Sequence, residues 1–143
     1  MKKLLILLFS LFFLSSPSVF AQEDLSKVNI GNLKRLSGSE IISTFSNTLE
    51  VGYQFDGITY LEYKYASGDF SLENSLNKTE SGKWKVYDNQ ICWKSTIKSD
   101  GIPEKMFQCV SIYTDFNEGE YYFYMPGSIG VYGKSTAVIP LID

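Results

Sequence analysis

Two cysteines placed symmetrically about an Asp-Gly pair constrain the fold of this chain most strongly. If Asp100 and Gly101 form a two-residue type I′ turn, facing residues on the flanking strands have numbers that sum to 201, as those of Cys92 and Cys109 do. Counting outward makes the cysteines a non-hydrogen-bonded pair, in which Cα atoms lie about 4.5 Å apart, a separation that a disulfide tolerates. The sequence therefore predicts a β-hairpin carrying a Cys92–Cys109 disulfide, which closes a loop for which a crosslink contributes about 3 kcal/mol.

Hydrophobic and polar residues alternate with period two from Asn47 onward, and Gly, Asn, Asp or Pro separates the runs. This pattern predicts strands over 49–55, 58–65, 69–75, 82–87, 90–97, 104–113, 120–125 and about 129–139. Short strands joined by tight turns favour a mostly β fold, an antiparallel meander of about eight strands that forms a small lipocalin-like barrel or a flattened sandwich.

A short N-terminal helix is predicted just before the first strand. The Ser37 hydroxyl precedes the Glu40 carboxylate by three residues, the spacing of a capping box, and Ile41, Ile42 and Phe45 recur at helical spacing. We expect a helix over about 39–46.

The first 21 residues have the pattern of a secretory signal. Lys2 and Lys3 precede an apolar run over 4–14, and small residues lead to a predicted cleavage after Ala21. The run is about half the length of a membrane span, so we expect no span and a periplasmic or secreted protein. Residues 22–35 are interpreted as a flexible lead-in, and 36–143 as a single domain.

Charge and composition exclude several classes of function. Loss of Lys2 and Lys3 with the signal changes the formal net charge from −3 to −5, which argues against nucleic acid as a partner. The chain has no histidine, so imidazole-based catalysis and histidine metal sites are excluded. We expect no enzyme, no metal and no cofactor; only unassisted carboxylates, Lys or Tyr remain for chemistry. Glu62, in the middle of a strand, is interpreted as an outward-facing charge.

A glycine motif and the cysteine pair have structural interpretations. The stretch from Gly127 to Ser135 lacks the first glycine and the following helix of a phosphate loop, and it is interpreted as a turn or bulge. The separation of Cys92 and Cys109 is far from that of a redox Cys-x-x-Cys pair, which favours a structural disulfide.

Alternation also predicts which side chains face the core. One set, Trp84 and Val86, is expected to point inward between outward lysines. A second set is expected to share the core face of the hairpin: Ile91, Trp93, Ile97, Met106, Val110 and Ile112.

Tyrosine clusters are the candidate binding residues, because an aromatic ring with a polar tip suits a cavity rim or a recognition surface. The proposed ligand or partner residues are Tyr60, Tyr63, Tyr65, Tyr122 and Tyr124. A tyrosine-rich β domain that simply fills its core and lines its edges is the alternative.

Several short elements resemble a family of small exported proteobacterial proteins that is catalogued as a domain of unknown function. They are Leu36-x-Gly38-x-Glu40-Ile41, Asn47-Thr48, Gly82-x-Trp84-x-Val86, Cys92-Trp93 and Cys109. The resemblance covers about 36–125 and implies export and a disulfide, but no catalytic residues.

Two functions follow as hypotheses. The first is an exported, disulfide-stabilised, non-catalytic binding module that holds a small apolar or aromatic ligand or presents its tyrosines to a protein partner. The alternative is a protein–protein effector, such as an inhibitor of an exported hydrolase, with Gly127 to Ser135 as the inserted loop. A barrel cavity of about 300 Å³ or more lined by aromatics would favour the first.

Overall fold

The computed structural model describes residues 22–115, 117–127 and 130–142, so the predicted signal and its cleavage lie outside the described residues. Two short 3-10 helices, Leu25–Lys27 and Ile30–Asn32, precede strand β1 (Lys34–Arg35) and helix α1 (Gly38–Phe45). Eight strands follow: β2 (Thr48–Gln54), β3 (Thr59–Lys64), β4 (Asp69–Asn74), β5 (Thr79–Tyr87), β6 (Gln90–Lys98), β7 (Gln108–Asp115), β8 (Glu120–Met125) and β9 (Gly130–Pro140). No helix in the described ranges is long and apolar enough to cross a membrane.

Strands β2 to β9 form a closed antiparallel barrel. Each strand pairs with its neighbour in sequence, and β9 pairs back with β2 to complete the circle. Strand β1 is an addition outside the circle, paired with β7. The predicted lipocalin-like barrel is confirmed, and the closure between β2 and β9 decides against the flattened sandwich.

Helix α1 closes one end of the barrel, at the side of the β3–β4, β5–β6 and β7–β8 turns. Ser37 caps it, and the Glu40 side chain accepts from the Ser37 N–H to complete the predicted capping box. Its apolar face inserts Ile41 and Phe45, both fully buried, into the core. The Gly38 N–H donates to Asn89 Oδ1 at 2.7 Å, which ties the helix to the β5–β6 turn.

The disulfide hairpin has the predicted register but not the predicted turn. Cys92 faces Cys109 with Cα atoms 4.1 Å apart, and the two are joined as a disulfide. The expected type I′ turn is wrong, because of its two central residues only Gly101 has a positive φ (77°) and a connection over 99–107 joins β6 to β7. Asp100 Oδ1 instead accepts from the Ile102 N–H, while the end of β6 stays paired with β5.

A β-bulge changes which residues of β6 face the core. The register with β5 shifts between Ser81 and Gly82, which leaves Thr96 without a partner and reverses the alternation beyond it. Ile97 is therefore 70% exposed, and the prediction that it faces the core is wrong. Only glycine fits at Gly82, where an added Cβ would lie 2.0 Å from the Lys94 carbonyl oxygen.

The other predictions of core-facing residues are wrong in one case and confirmed in the rest. Met106 lies in the β6–β7 connection and is 74% exposed, so its assignment to the core is also wrong. Trp84, Ile91, Val110 and Ile112 are buried in the main core cluster, as predicted, and the partly buried Val86 and Trp93 pack against it.

The segment interpreted as a flexible lead-in packs on the outside of the barrel. Leu25 is buried in a second hydrophobic cluster with Tyr53, Tyr122 and Val131, on the outer face of β2, β8 and β9. The Glu23 carboxylate accepts from Lys134 Nζ at 2.7 Å, which adds an ion pair to this contact. Isolated apolar residues in a polar stretch thus cover outward-facing side chains of the barrel.

Candidate functional site

The barrel contains a cavity of about 280 Å³. It extends from the core toward the end of the barrel opposite α1, where β2 and β4 end and β6 leaves the sheet. Partly exposed side chains at that end connect the cavity with solvent, including Gln54, Asn74, Glu80 and Glu104. The volume is near the lower limit of known ligand pockets, about 300 Å³.

A cluster of three buried charges forms part of the cavity wall. We call Glu50, Glu62 and Lys64 the charge cluster. Lys64 Nζ lies 2.5 Å from Glu50 Oε2 and 2.9 Å from Glu62 Oε2. The Tyr60 hydroxyl donates to Glu50 Oε1 at 2.6 Å, so both oxygens of Glu50 are engaged.

The pairing of β2 with β3 brings the charge cluster together. Glu50 and Glu62 face each other directly in the register of these two strands. Tyr60, Glu62 and Lys64 alternate along β3, so all three side chains enter the barrel on the same face. Alternation along β3 therefore places the Lys64 cation beside the Glu50 and Glu62 carboxylates in the buried interior of the barrel.

Burial changes the proton affinities in the charge cluster. It raises the pKa of Glu62; Lys64 opposes this shift and the neighbouring Glu50 adds to it. For Lys64, burial alone would lower the pKa, but the Glu50 and Glu62 carboxylates outweigh it and raise the pKa. Lys64 is thus held as a cation, while Glu62 accepts a proton more readily than an ordinary glutamate.

Polar groups of the cavity wall have unused hydrogen-bonding capacity. Within the described ranges, Oε1 of Glu62 has no hydrogen-bond or ion-pair partner, and neither has the Tyr132 hydroxyl. Burial, followed by Glu62 and Glu50, raises the pKa of Tyr132 well above its ordinary value, so the hydroxyl keeps its proton. The cavity therefore offers a carboxylate acceptor at Glu62 and a hydroxyl donor at Tyr132.

Two further glutamates lie near the mouth of the cavity. Glu80 Oε2 accepts from the Ser95 hydroxyl at 2.7 Å, and Glu104 Oε2 accepts from the Ser95 N–H at 2.8 Å. Both interactions fix carboxylates in the cavity wall, and Lys98 Nζ lies 3.7 Å from Glu80 Oε1.

Aromatic rings make up much of the remaining wall. Tyr132 packs against Trp93 and Phe123, with ring centroids 6.3 and 6.2 Å apart. Both tryptophans of the chain line the cavity. Among the described residues, the aromatic lining consists of Tyr60, Phe70, Trp84, Trp93, Phe123 and Tyr132.

The structure separates the five predicted tyrosines. Only Tyr60 lines the cavity. Tyr63 and Tyr65 stack on each other outside the barrel, with centroids 6.4 Å apart, and both are exposed. Tyr122 and Tyr124 pack in or against the outer cluster covered by the lead-in.

The sequence interpretation missed most of the charged wall. Glu62 is wrongly predicted to face outward, since its side chain is 14% exposed and points toward Lys64. The sequence around Glu50 does not indicate that its side chain faces the core. Its neighbours Leu49 and Val51 are hydrophobic, so alternation predicts that they face inward and that Glu50 faces solvent. The charged wall could have been predicted from β3, because Glu62 and Lys64 follow Tyr60 at period two and therefore lie on the same face of the strand.

The arrangement is suited to binding a polar or charged group. No set of three His, Cys, Asp or Glu side chains that could hold a metal ion occurs in the part of the chain that the structure describes. Glu50 is fully engaged by Tyr60 and Lys64, which leaves Glu62 to contact a ligand.

Comparison with protein-family models, with curated proteins and with solved structures finds no match for this chain. The resemblance to a family of exported proteins stays a prediction, and the functional assignment depends on the geometry of the barrel.

Proposed function

We propose that this chain is an exported, disulfide-stabilised binding module that holds a small organic ligand inside the barrel. The observation that carries the proposal is the cavity of about 280 Å³, which combines aromatic walls with the unpartnered Glu62 oxygen and Tyr132 hydroxyl. Apolar walls with a few polar groups that fix orientation are typical of small-molecule sites.

Export is part of this proposal. The leader pattern over 1–21 supports it, as does the Cys92–Cys109 disulfide, because such bonds persist mainly in oxidising compartments.

The alternative of a hydrolase inhibitor has less support from the geometry. Its candidate loop, Gly127 to Ser135, lies largely within β9. Gly130 and Val131 pair with β8, and the stretch 133–135 pairs with both β8 and β2. A strand that is paired on both sides does not offer a free loop for insertion into a cleft.

Native mass spectrometry tests the proposal. Protein exported with its own leader is expected to carry an additional small mass that is lost on denaturation and absent from refolded protein. Leu72→Trp, which places a larger side chain in the cavity wall, should abolish the additional mass. The matched variant Leu61→Trp changes the exposed face of β3 and should retain it. A ligand-free mass for the exported wild-type protein would contradict a tightly held ligand.

A further inference from the structure

The charges of the cavity wall determine whether a positively or a negatively charged ligand is favoured. Among the described residues, four glutamates (Glu50, Glu62, Glu80 and Glu104) and Lys64 line the cavity, and Lys98 pairs with Glu80 from outside the lining, which gives this group a formal charge of −2 when all six are ionised. Lys64 is already paired with two carboxylates, at 2.5 and 2.9 Å. An anion would therefore meet net repulsion, whereas a cation would be attracted.

Glu62 is the residue positioned to contact such a cation. Its Oε2 is bound to Lys64, but its Oε1 has no partner within the described ranges. Glu80 and Glu104 line the cavity with partly exposed side chains, which can attract a cation as it enters.

The aromatic walls fit the rest of a cationic ligand. The faces of Trp, Tyr and Phe attract cations, and they also bury an apolar body. This chain already contains one such contact at the closed end, where Lys64 Nζ lies 5.5 Å from the centre of the Phe45 ring. Trp84 and Trp93 also line the cavity and offer similar surfaces.

The volume limits the size of the ligand. A cavity of about 280 Å³ lies at the small end of ligand pockets, which favours a compact ligand. An amine or quaternary ammonium group attached to one ring or a short chain fits within this limit.

We infer that the barrel binds a small organic cation with an aromatic or apolar body, whose charged group contacts Glu62 and whose body lies among Trp84, Trp93 and Tyr132. This inference rests on the proposed function, because it names the ligand class for the same cavity.

Three probes that share one aromatic body and differ in charge test the inference. They are phenethylammonium, the neutral phenethyl alcohol and the anionic phenylacetate. Each is titrated into refolded, ligand-free protein at neutral pH, and tryptophan fluorescence is recorded, since both tryptophans of the chain line the cavity. We expect phenethylammonium to bind at least tenfold more tightly than the alcohol, and phenylacetate to bind most weakly.

A pair of variants locates the contact. Glu62→Gln removes the negative charge of Glu62 and is expected to weaken phenethylammonium binding by about tenfold or more, because a charge-assisted hydrogen bond is lost. Its affinity for the neutral alcohol should change little. Glu73→Gln makes the same change on the exposed face of β4 and should leave all three affinities unaltered.

The possible failures distinguish the two proposals. Equal or tighter binding of the alcohol or of phenylacetate would overturn the cation inference while leaving a ligand-binding barrel. An equal effect of Glu62→Gln and Glu73→Gln on phenethylammonium would overturn the assigned contact. Absence of fluorescence change with all three probes would overturn the cation inference, and an additional mass on the exported protein would then still support the proposed function.

Discussion

Replacing Lys64 by methionine is expected to lower the free energy of unfolding at pH 7 by about 3–5 kcal/mol, because removal of one partner leaves buried charge uncompensated. The methionine side chain fills a similar volume, but Glu50 and Glu62 then face each other across β2 and β3 without a cation. Chemical denaturation monitored by circular dichroism measures the loss.

The loss from Lys64→Met should depend on pH. Burial already raises the pKa of Glu62 in the folded wild-type protein, and removal of Lys64 removes the charge that opposes this shift. A carboxyl group with a raised pKa in the folded state stabilises that state below its unfolded pKa, and this contribution disappears as pH rises through the folded value. The variant should therefore approach wild-type stability below pH 4.5, the ordinary pKa of glutamate, and lose stability as pH rises.

A surface lysine provides the matched control for this experiment. Lys83 pairs with Asp69 on the exposed face of the barrel. Lys83→Met should cost no more than about 1 kcal/mol at any pH, since exposed ion pairs contribute little. Equal losses for the two variants, or a loss in Lys64→Met that does not change with pH, would contradict the charge cluster.

Replacing Phe45 by alanine is expected to destabilise the protein by about 3–5 kcal/mol, the usual cost of removing a buried aromatic side chain. Phe45 is fully buried at the closed end of the barrel and contacts the Tyr121 ring edge-on at 5.2 Å. Lys64 Nζ lies 5.5 Å from the centre of the Phe45 ring. Urea denaturation measures the change.

The same helix supplies the control for Phe45. Ile42 lies on its outer face and is 52% exposed, so Ile42→Ala should change stability by only about 0.5 kcal/mol. Similar small losses in both variants would show that α1 does not close the barrel in solution.

The fold was largely predictable because it depends on local, periodic features. Alternation located all eight barrel strands, and the capping box of Ser37 and Glu40 located the helix to within one residue. The symmetric positions of Cys92 and Cys109 fixed a register that the structure retains.

The remaining differences come from irregularities that alternation does not encode. The bulge at Thr96 turns Ile97 to solvent. The sequence does not indicate that Gly82 permits the backbones of β5 and β6 to approach closely at this point. The pair with positive φ at both positions is Asp88-Asn89, so the tight turn of this kind joins β5 to β6 and not β6 to β7.

The candidate site was predictable only in part. Tyr60 and the tryptophans were expected at a binding surface or in the core, and they line the cavity. Glu50, Glu62 and Lys64 were missed because charged strand residues usually face water, and only the closed barrel shows that these three compensate one another. Whether a barrel interior is filled or hollow depends on side-chain packing across all its strands, which no single strand pattern contains.

A carboxyl-carbon NMR titration of protein labelled with carbon-13 in its glutamate side chains tests the central claim most directly, with Glu62→Gln to assign the resonance. A buried, partly unpartnered Glu62 should titrate above its ordinary pKa of 4.5. Its resonance should also shift when phenethylammonium is added. A Glu62 carboxyl that titrates at the ordinary value and does not respond to the cation would contradict both the charged cavity wall and its role in binding.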